Sequence, residues 1–232
     1  MGLFEIEVPS GQSNEDLQLF RYAFSHDLKV ALRPILGLGH YLSEGEVSEA
    51  RGNQYHSQVT ESARQLERQF DALSEYARLC LRATRHQKVE LKPLLQAATR
   101  QQLARLGRAE ECVEMSGDFP AVRADLASLK IVFSELIANA LQFARPGQPP
   151  RVLIRANSRE SQVETLIQDF GLGIPQDCLT LLGKPFQKFH SGAGVGFGFT
   201  LVLRALSLAR GRLRCASHCG EGSTFVVSLE AV

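Results

Sequence analysis

The chain has almost no excess of charge of either sign: 26 Lys and Arg stand against 25 Asp and Glu, a formal net charge of +1 at pH 7. A nucleic-acid binder normally carries a basic surplus, so that class is set aside. No apolar run approaches the ~20 residues that cross a bilayer. The opening MGLFEIEVPSGQS mixes acids with apolar residues and lacks both a basic start and a long apolar stretch, so it does not read as a signal peptide. Ile6 stands where an N-myristoylation signal wants Ser or Thr. Five cysteines, Cys80, Cys112, Cys178, Cys215 and Cys219, include no pair at the two-residue spacing of a zinc knuckle. Odd in number, they read as reduced thiols. The expectation is a cytoplasmic protein with no membrane segment in this chain. Its 232 residues suit one large domain or two small ones.

Proline is also scarce where it would do most damage. From Asn14 to Arg85 there is only Pro34, and the pattern is helical. Leu17, Phe24, Ala31 and Leu38 recur every seven residues, interleaved with Leu28, Ile35 and Leu42. After a polar break around residues 43–53 the same spacing resumes in Val59, Leu66, Leu73 and Cys80, interleaved with Ala63, Phe70 and Ala77. Two heptad helices joined by a polar loop predict an antiparallel hairpin over residues 14–86. One hairpin cannot enclose a core, so two copies pairing into a four-helix bundle is the expected arrangement.

Beyond Arg85 the heptads stop. Helices are predicted over Pro93–Leu106, Ala127–Phe143 and Gly198–Ala209, and strands over 112–115, 151–156, 162–169, 212–217 and 223–230. RPGQPP at 145–150 is a loop. Sheet and helices in mixed order predict an α/β sandwich over residues 87–232. Residues 1–13 are a lead-in.

Four polar constellations stand out against this frame. On the first helix His26 falls at heptad position f, opposite the seam, and Asp27 follows it as a carboxylate able to orient the ring and take its proton. Glu135 and Asn139, four apart on a strongly apolar helix, share a face. Asp169 ends a predicted strand and opens DFGLGIP, with Gly171 and Gly173 allowing a tight turn. Glycines 192, 194, 196 and 198 lead into the last helix, where exposed amides and the helix dipole suit a polyphosphate. No βαβ unit surrounds them and no lysine follows them, which excludes the Rossmann and Walker readings.

Taken in order, these strings resemble one family. SHDLKVALRPI resembles the phosphoacceptor box of sensor histidine kinases, in the HDL branch that includes bacterial phytochromes. ELIANALQFA resembles the asparagine box of the kinase, gyrase, chaperone and mismatch-repair ATPases. DFGLGIP and GAGVGFGFTLVLRAL resemble its two glycine boxes, KPFQKF its aromatic box, and GEGSTF its terminal box. The resemblance covers nearly the whole chain. It implies a dimerising phosphotransfer hairpin, residues 14–86, followed by an ATP-binding α/β sandwich of the Bergerat type. His26 would be the nucleophile toward the γ-phosphate and Asp27 its acid/base partner. ATP would be bound by Glu135, Asn139, Asp169, Gly171, Gly173, Gly194, Gly196, Gly198 and Thr224, with Asn139 on magnesium and Thr224 steadying Asp169. The implied partners are a second copy of the chain and the receiver domain of a response regulator, whose aspartate takes the phosphoryl group. Ala31 replaces the family's usual proline and Gln142 its usual basic residue. These departures keep open a second reading, a degenerate kinase or phosphotransfer scaffold that docks partners without turning over ATP.

Overall fold

A computed structural model describes residues 3–8, 32–33, 35–37, 49–189 and 195–232. His26, Asp27, Gly194 and most of the first heptad series lie outside the described residues. The chain divides into two compact units. One comprises Met1–Ser10, Arg82–Lys184 and Gly198–Val232, and the other Gly11–Leu81 and Pro185–Phe197.

In the second unit, residues 32–33 and 35–37 are helical. Helix α1, Glu49–Leu81, carries the second heptad series. It starts inside the stretch expected to be a polar loop, because GluAlaArg suits a helix as well as a break. Along α1, Leu73, Tyr76 and Leu79 are buried, whereas Phe70 is 48% exposed. Tyr76 meets the Phe197 ring edge-on at 5.9 Å, and Phe186 lies 5.0 Å from Phe197.

The first unit is an α/β sandwich. Its elements are β1 (Phe4–Ile6), β2 (His86–Val89), α2 (Leu91–Leu106), β3 (Val113–Gly117), β4 (Val122–Asp125), α3 (Leu126–Gln142), β5 (Val152–Arg159), β6 (Gln162–Asp169), α4 (Gly198–Ala209), β7 (Arg212–His218) and β8 (Gly222–Glu230). Six strands form one sheet in the order β1-β7-β8-β6-β5-β3, and β2 pairs with β4 beside it. All pairings are antiparallel except β3 with β5. On β6 buried residues alternate strictly with half-buried ones, the signature of a sheet covered on one face. Val152, Ile154, Val163, Ile167 and Leu213 of that face are fully buried, as are Leu95 of α2, Leu129, Phe133 and Ile137 of α3, and Val202 and Leu206 of α4. Burying side chains of this size contributes about 1.5–3 kcal/mol each, which makes this layer the main source of stability.

Three short strands have no counterpart in the sequence reading. β1 takes part of the expected lead-in and adds an edge to the sheet by pairing Phe4–Ile6 with Leu213–Cys215. β2 and β4 pair His86 with Asp125 through Val89 with Val122.

Candidate functional site

The site is built on the sheet-facing helix α3 and on the loop after β6. Asp125 caps α3, its Oδ1 accepting the Ser128 backbone N–H at 2.8 Å. The same carboxylate accepts from the Arg82 guanidinium, and its Oδ2 accepts the Arg85 N–H at 3.0 Å. Burial alone would raise the Asp125 pKa. The Arg85 N–H, the Arg82 guanidinium and Ser128 outweigh it and pull the value down to about 2. This anchor was missed in the sequence, where its signal was Asp-x-x-Ser before an apolar run.

Glu135 and Asn139 sit one turn apart on α3, both half-buried. The Glu135 carboxylate reaches the N-terminus of α4: its Oε2 lies 2.5 Å from where a Cβ on Gly198 would stand. Gly198 therefore leaves room for a carboxylate at the positive end of a helix dipole. An acid, an amide oxygen and a helix N-terminus are the hard donors and the field that suit a hydrated magnesium ion on phosphates.

Asp169 is 8% exposed at the end of β6. Its Oδ1 accepts the Gly171 N–H at 2.9 Å and the Ser223 N–H at 3.2 Å. Ser223 shares a 2.9 Å hydrogen bond with Ser217, whose hydroxyl oxygen also accepts the Ile174 N–H at 2.7 Å. Burial pushes the Asp169 carboxyl above the usual range, opposed by the Gly171 and Ser223 hydrogen bonds. A desolvated carboxylate fixed by three segments is a directed acceptor, suited to an amino group of a planar ligand.

The loop after Asp169 is pinned on both sides. The Leu172 N–H donates to the Phe143 carbonyl at the end of α3, and the Gly220 N–H donates to the Leu172 carbonyl. At Gly173 φ is +66°, and a side chain would collide with the His218 carbonyl, so glycine is required there.

The contact expected of Thr224 is a correction. It is Ser223 that reaches Asp169, through both its backbone N–H and its hydroxyl. Thr224 pairs with Gln168 in the β6–β8 register, so successive side chains alternate and Thr224 points to the other face. The structure thus brings Glu135 to Gly198, and Asp169 to Gly171 and Ser223. Gly196 belongs to the other unit, where its φ of +73° places it against the Gln187 carbonyl.

Residues 124–232 match the family of histidine kinase-, DNA gyrase B-, and HSP90-like ATPases. The mixed sandwich of that region and its aspartate–glycine loop are in keeping with this match. Over most of its length the chain is similar to phytochromes and sensor histidine kinases. It is 25% identical over 236 residues to cyanobacterial phytochrome B of Nostoc sp., covering 99% of this chain and 31% of that one. It is 33% identical over 160 residues to the adaptive-response sensory kinase SasA of Synechococcus elongatus, covering 62% and 41%. Among solved structures it resembles histidine kinase ThkA in complex with response regulator protein TrrA, with a TM-score of 0.68 and 15% identity, covering 94% of this chain and 64% of that one. The chain spans about a third of the length of the phytochrome relatives it matches. Among the described residues no helix is long and apolar enough to cross a membrane.

Proposed function

We propose that the chain is the catalytic core of an ATP-dependent protein-histidine kinase that phosphorylates its own His26 and passes the phosphoryl group to an aspartate on a response-regulator receiver domain. The observation that carries this reading is the buried, three-segment anchoring of Asp169 beside a helix that presents Glu135 and Asn139. Asp169 would accept the adenine amino group, Asn139 and Glu135 would hold magnesium, and the amides at the start of α4 would receive the phosphate charge. A magnesium ion held there would supply charge neutralisation during the transfer. The protein's share is positioning and electrostatic stabilisation. Asp27 orients the His26 imidazole and takes its proton as the ring attacks the γ-phosphorus of ATP and ADP leaves with the bridging oxygen.

Two copies pair through residues 14–86. The half-exposed Phe70, a member of the heptad seam, supports this, because an aromatic ring on a seam is normally covered. The receiver docks on the bundle near His26. ThkA, a structural neighbour, was solved with a response regulator.

Incubation with magnesium and γ-labelled ATP is the test. A label on the protein that acid removes and alkali spares supports phosphohistidine. ATP binding without any such label favours instead the scaffold reading, for which Gln142 in place of a basic residue is the motivating feature.

A further inference from the structure

Strand β1 carries none of the residues assigned above to nucleotide binding, and it pairs residues 4–6 with the sheet unit. It consists of three residues on the outer edge of β7, and only Ile6 is buried, at 5% exposure. Leu3 and Phe4 are 42% and 40% exposed. Beneath its departing end lies a cavity of about 590 Å³ bounded by Glu5, Ile6, Glu7 and Val8 on one side and Ser207, Arg210 and Arg212 on the other. The strand is therefore seated by one side chain and a short hydrogen-bond ladder beside an open groove. β7 is paired along its whole length with β8, so the sheet stays complete without β1.

Chain connectivity gives this weak seat a consequence. Five residues, 9–13, separate Val8 from Asn14, where the heptad pattern begins. The step from Val8 to Asn14 reaches at most about 20 Å. At the other end of the helical region α1 finishes at Leu81, and Arg82 and Arg85 are hydrogen-bonded to Asp125 at once. While β1 is docked, the stretch 11–81 is flanked along the chain on both sides by segments paired or hydrogen-bonded within the sheet unit. A domain joined at two points cannot travel as far as one joined at a single point.

We propose that β1 is a detachable latch. Docked on β7 it restrains the excursion of the ATP-binding unit, and its release permits the movement that brings nucleotide to the phosphoacceptor. This rests on the kinase reading above for its consequence, but not for the detachment itself. Short pairings with little buried apolar surface open locally at low cost, well below global unfolding.

Three measurements test it. Hydrogen exchange on the unmodified chain reads the detachment directly. The amides of residues 4–6 are expected to exchange at least about a hundredfold faster than those of β6 and β8, a difference of about 2.7 kcal/mol in opening. Equal protection overturns the latch whatever the enzymatic activity. Ile6→Asp removes the anchoring side chain and is expected to raise the initial rate of His26 labelling about fivefold. Glu5→Cys with Arg214→Cys joins register partners across β1 and β7. Its oxidised form is expected to label at least about tenfold more slowly than its reduced form, with ATP affinity the same in both. The two single-cysteine variants control for oxidation of the native thiols. Rates that agree within twofold across Ile6→Asp, the oxidised and the reduced forms overturn the gating. No label in any form, the unmodified chain included, counts against the kinase reading, and the exchange result then decides the latch alone.

Discussion

Asp169 in the sheet unit is held by groups from three segments, the turn at Gly171, the start of β8 and, through Ser217, the end of β7. On α1 the polar residues are mostly exposed and apolar ones recur by sevens. The two regions teach different lessons. Where several segments converge on one polar atom, chemistry depends on register and on loop geometry. Where one helix presents a repeating stripe, the helix serves as a platform, and a reactive residue on its outer face needs only a neighbour on the same helix. Phosphoryl transfer as proposed needs both, a rigid nucleotide clamp and an accessible nucleophile.

The comparison breaks first at the nucleophile. His26→Gln should abolish protein labelling while leaving ATP affinity within about twofold, because the two functions reside in separate regions. Calorimetry beside a labelling assay reads both quantities, and loss of both together would merge what the account separates. Asn139→Ala should weaken magnesium-dependent ATP binding by at least about tenfold, or 1.4 kcal/mol, with little change in melting temperature. An unchanged affinity in the presence of magnesium would remove Asn139 from the site.

Much of the sheet unit was legible beforehand because its elements are long and strongly patterned. The helix expected at Ala127–Phe143 is Leu126–Gln142, and the one expected at Gly198–Ala209 has those bounds. Strand β6 was legible with β5 as a hairpin around NSRES, although the strict alternation of its burial is not visible in QVETLIQD itself. The three strands of four residues or fewer that were missed have too few positions to display a period: FEI, HQKV and VRAD could each be loop. Asp169 was legible from its glycines, but its partner was not. Choosing between Ser223 and Thr224 depends on strand register, and a slip of one residue swaps the face. Asp125 carried a capping signal, yet nothing in the sequence joins it to Arg82, some forty positions earlier.

That register lesson gives a sharper test within the sheet. Ser223→Ala should cost about 1–2 kcal/mol of stability and weaken ATP binding, since it strips a hydrogen bond from a buried carboxylate. Thr224→Ala should change either by less than about 0.5 kcal/mol. Denaturant titration of the two variants side by side checks the order, and the reverse order would restore Thr224 to the aspartate.

Two carboxylates shifted in opposite directions supply the pH tests. Asp125, held near 2 against a usual value of 3.8, stabilises the folded state above the unfolded value and loses that contribution as pH falls through the folded one. The window runs from about pH 4 to about pH 2, and about 2 kcal/mol is at stake. Asp125→Ala should flatten stability across that window, which acid titration of both proteins would reveal. Asp169 is shifted upward by burial, so its charged form is lost at a higher pH than that of an ordinary aspartate. Nucleotide affinity should therefore begin to fall on acidification before an exposed carboxylate would titrate. Asp169→Asn should remove that dependence along with part of the affinity.

The residue that carries the phosphoryl group decides the central claim. The unmodified chain, incubated with ATP and magnesium and digested at neutral to alkaline pH to preserve a phosphoramidate, can be mapped by mass spectrometry. The account predicts a single phosphorylated peptide with the adduct on His26. An adduct on any other residue, or intact unmodified protein under conditions where calorimetry shows bound nucleotide, would contradict it.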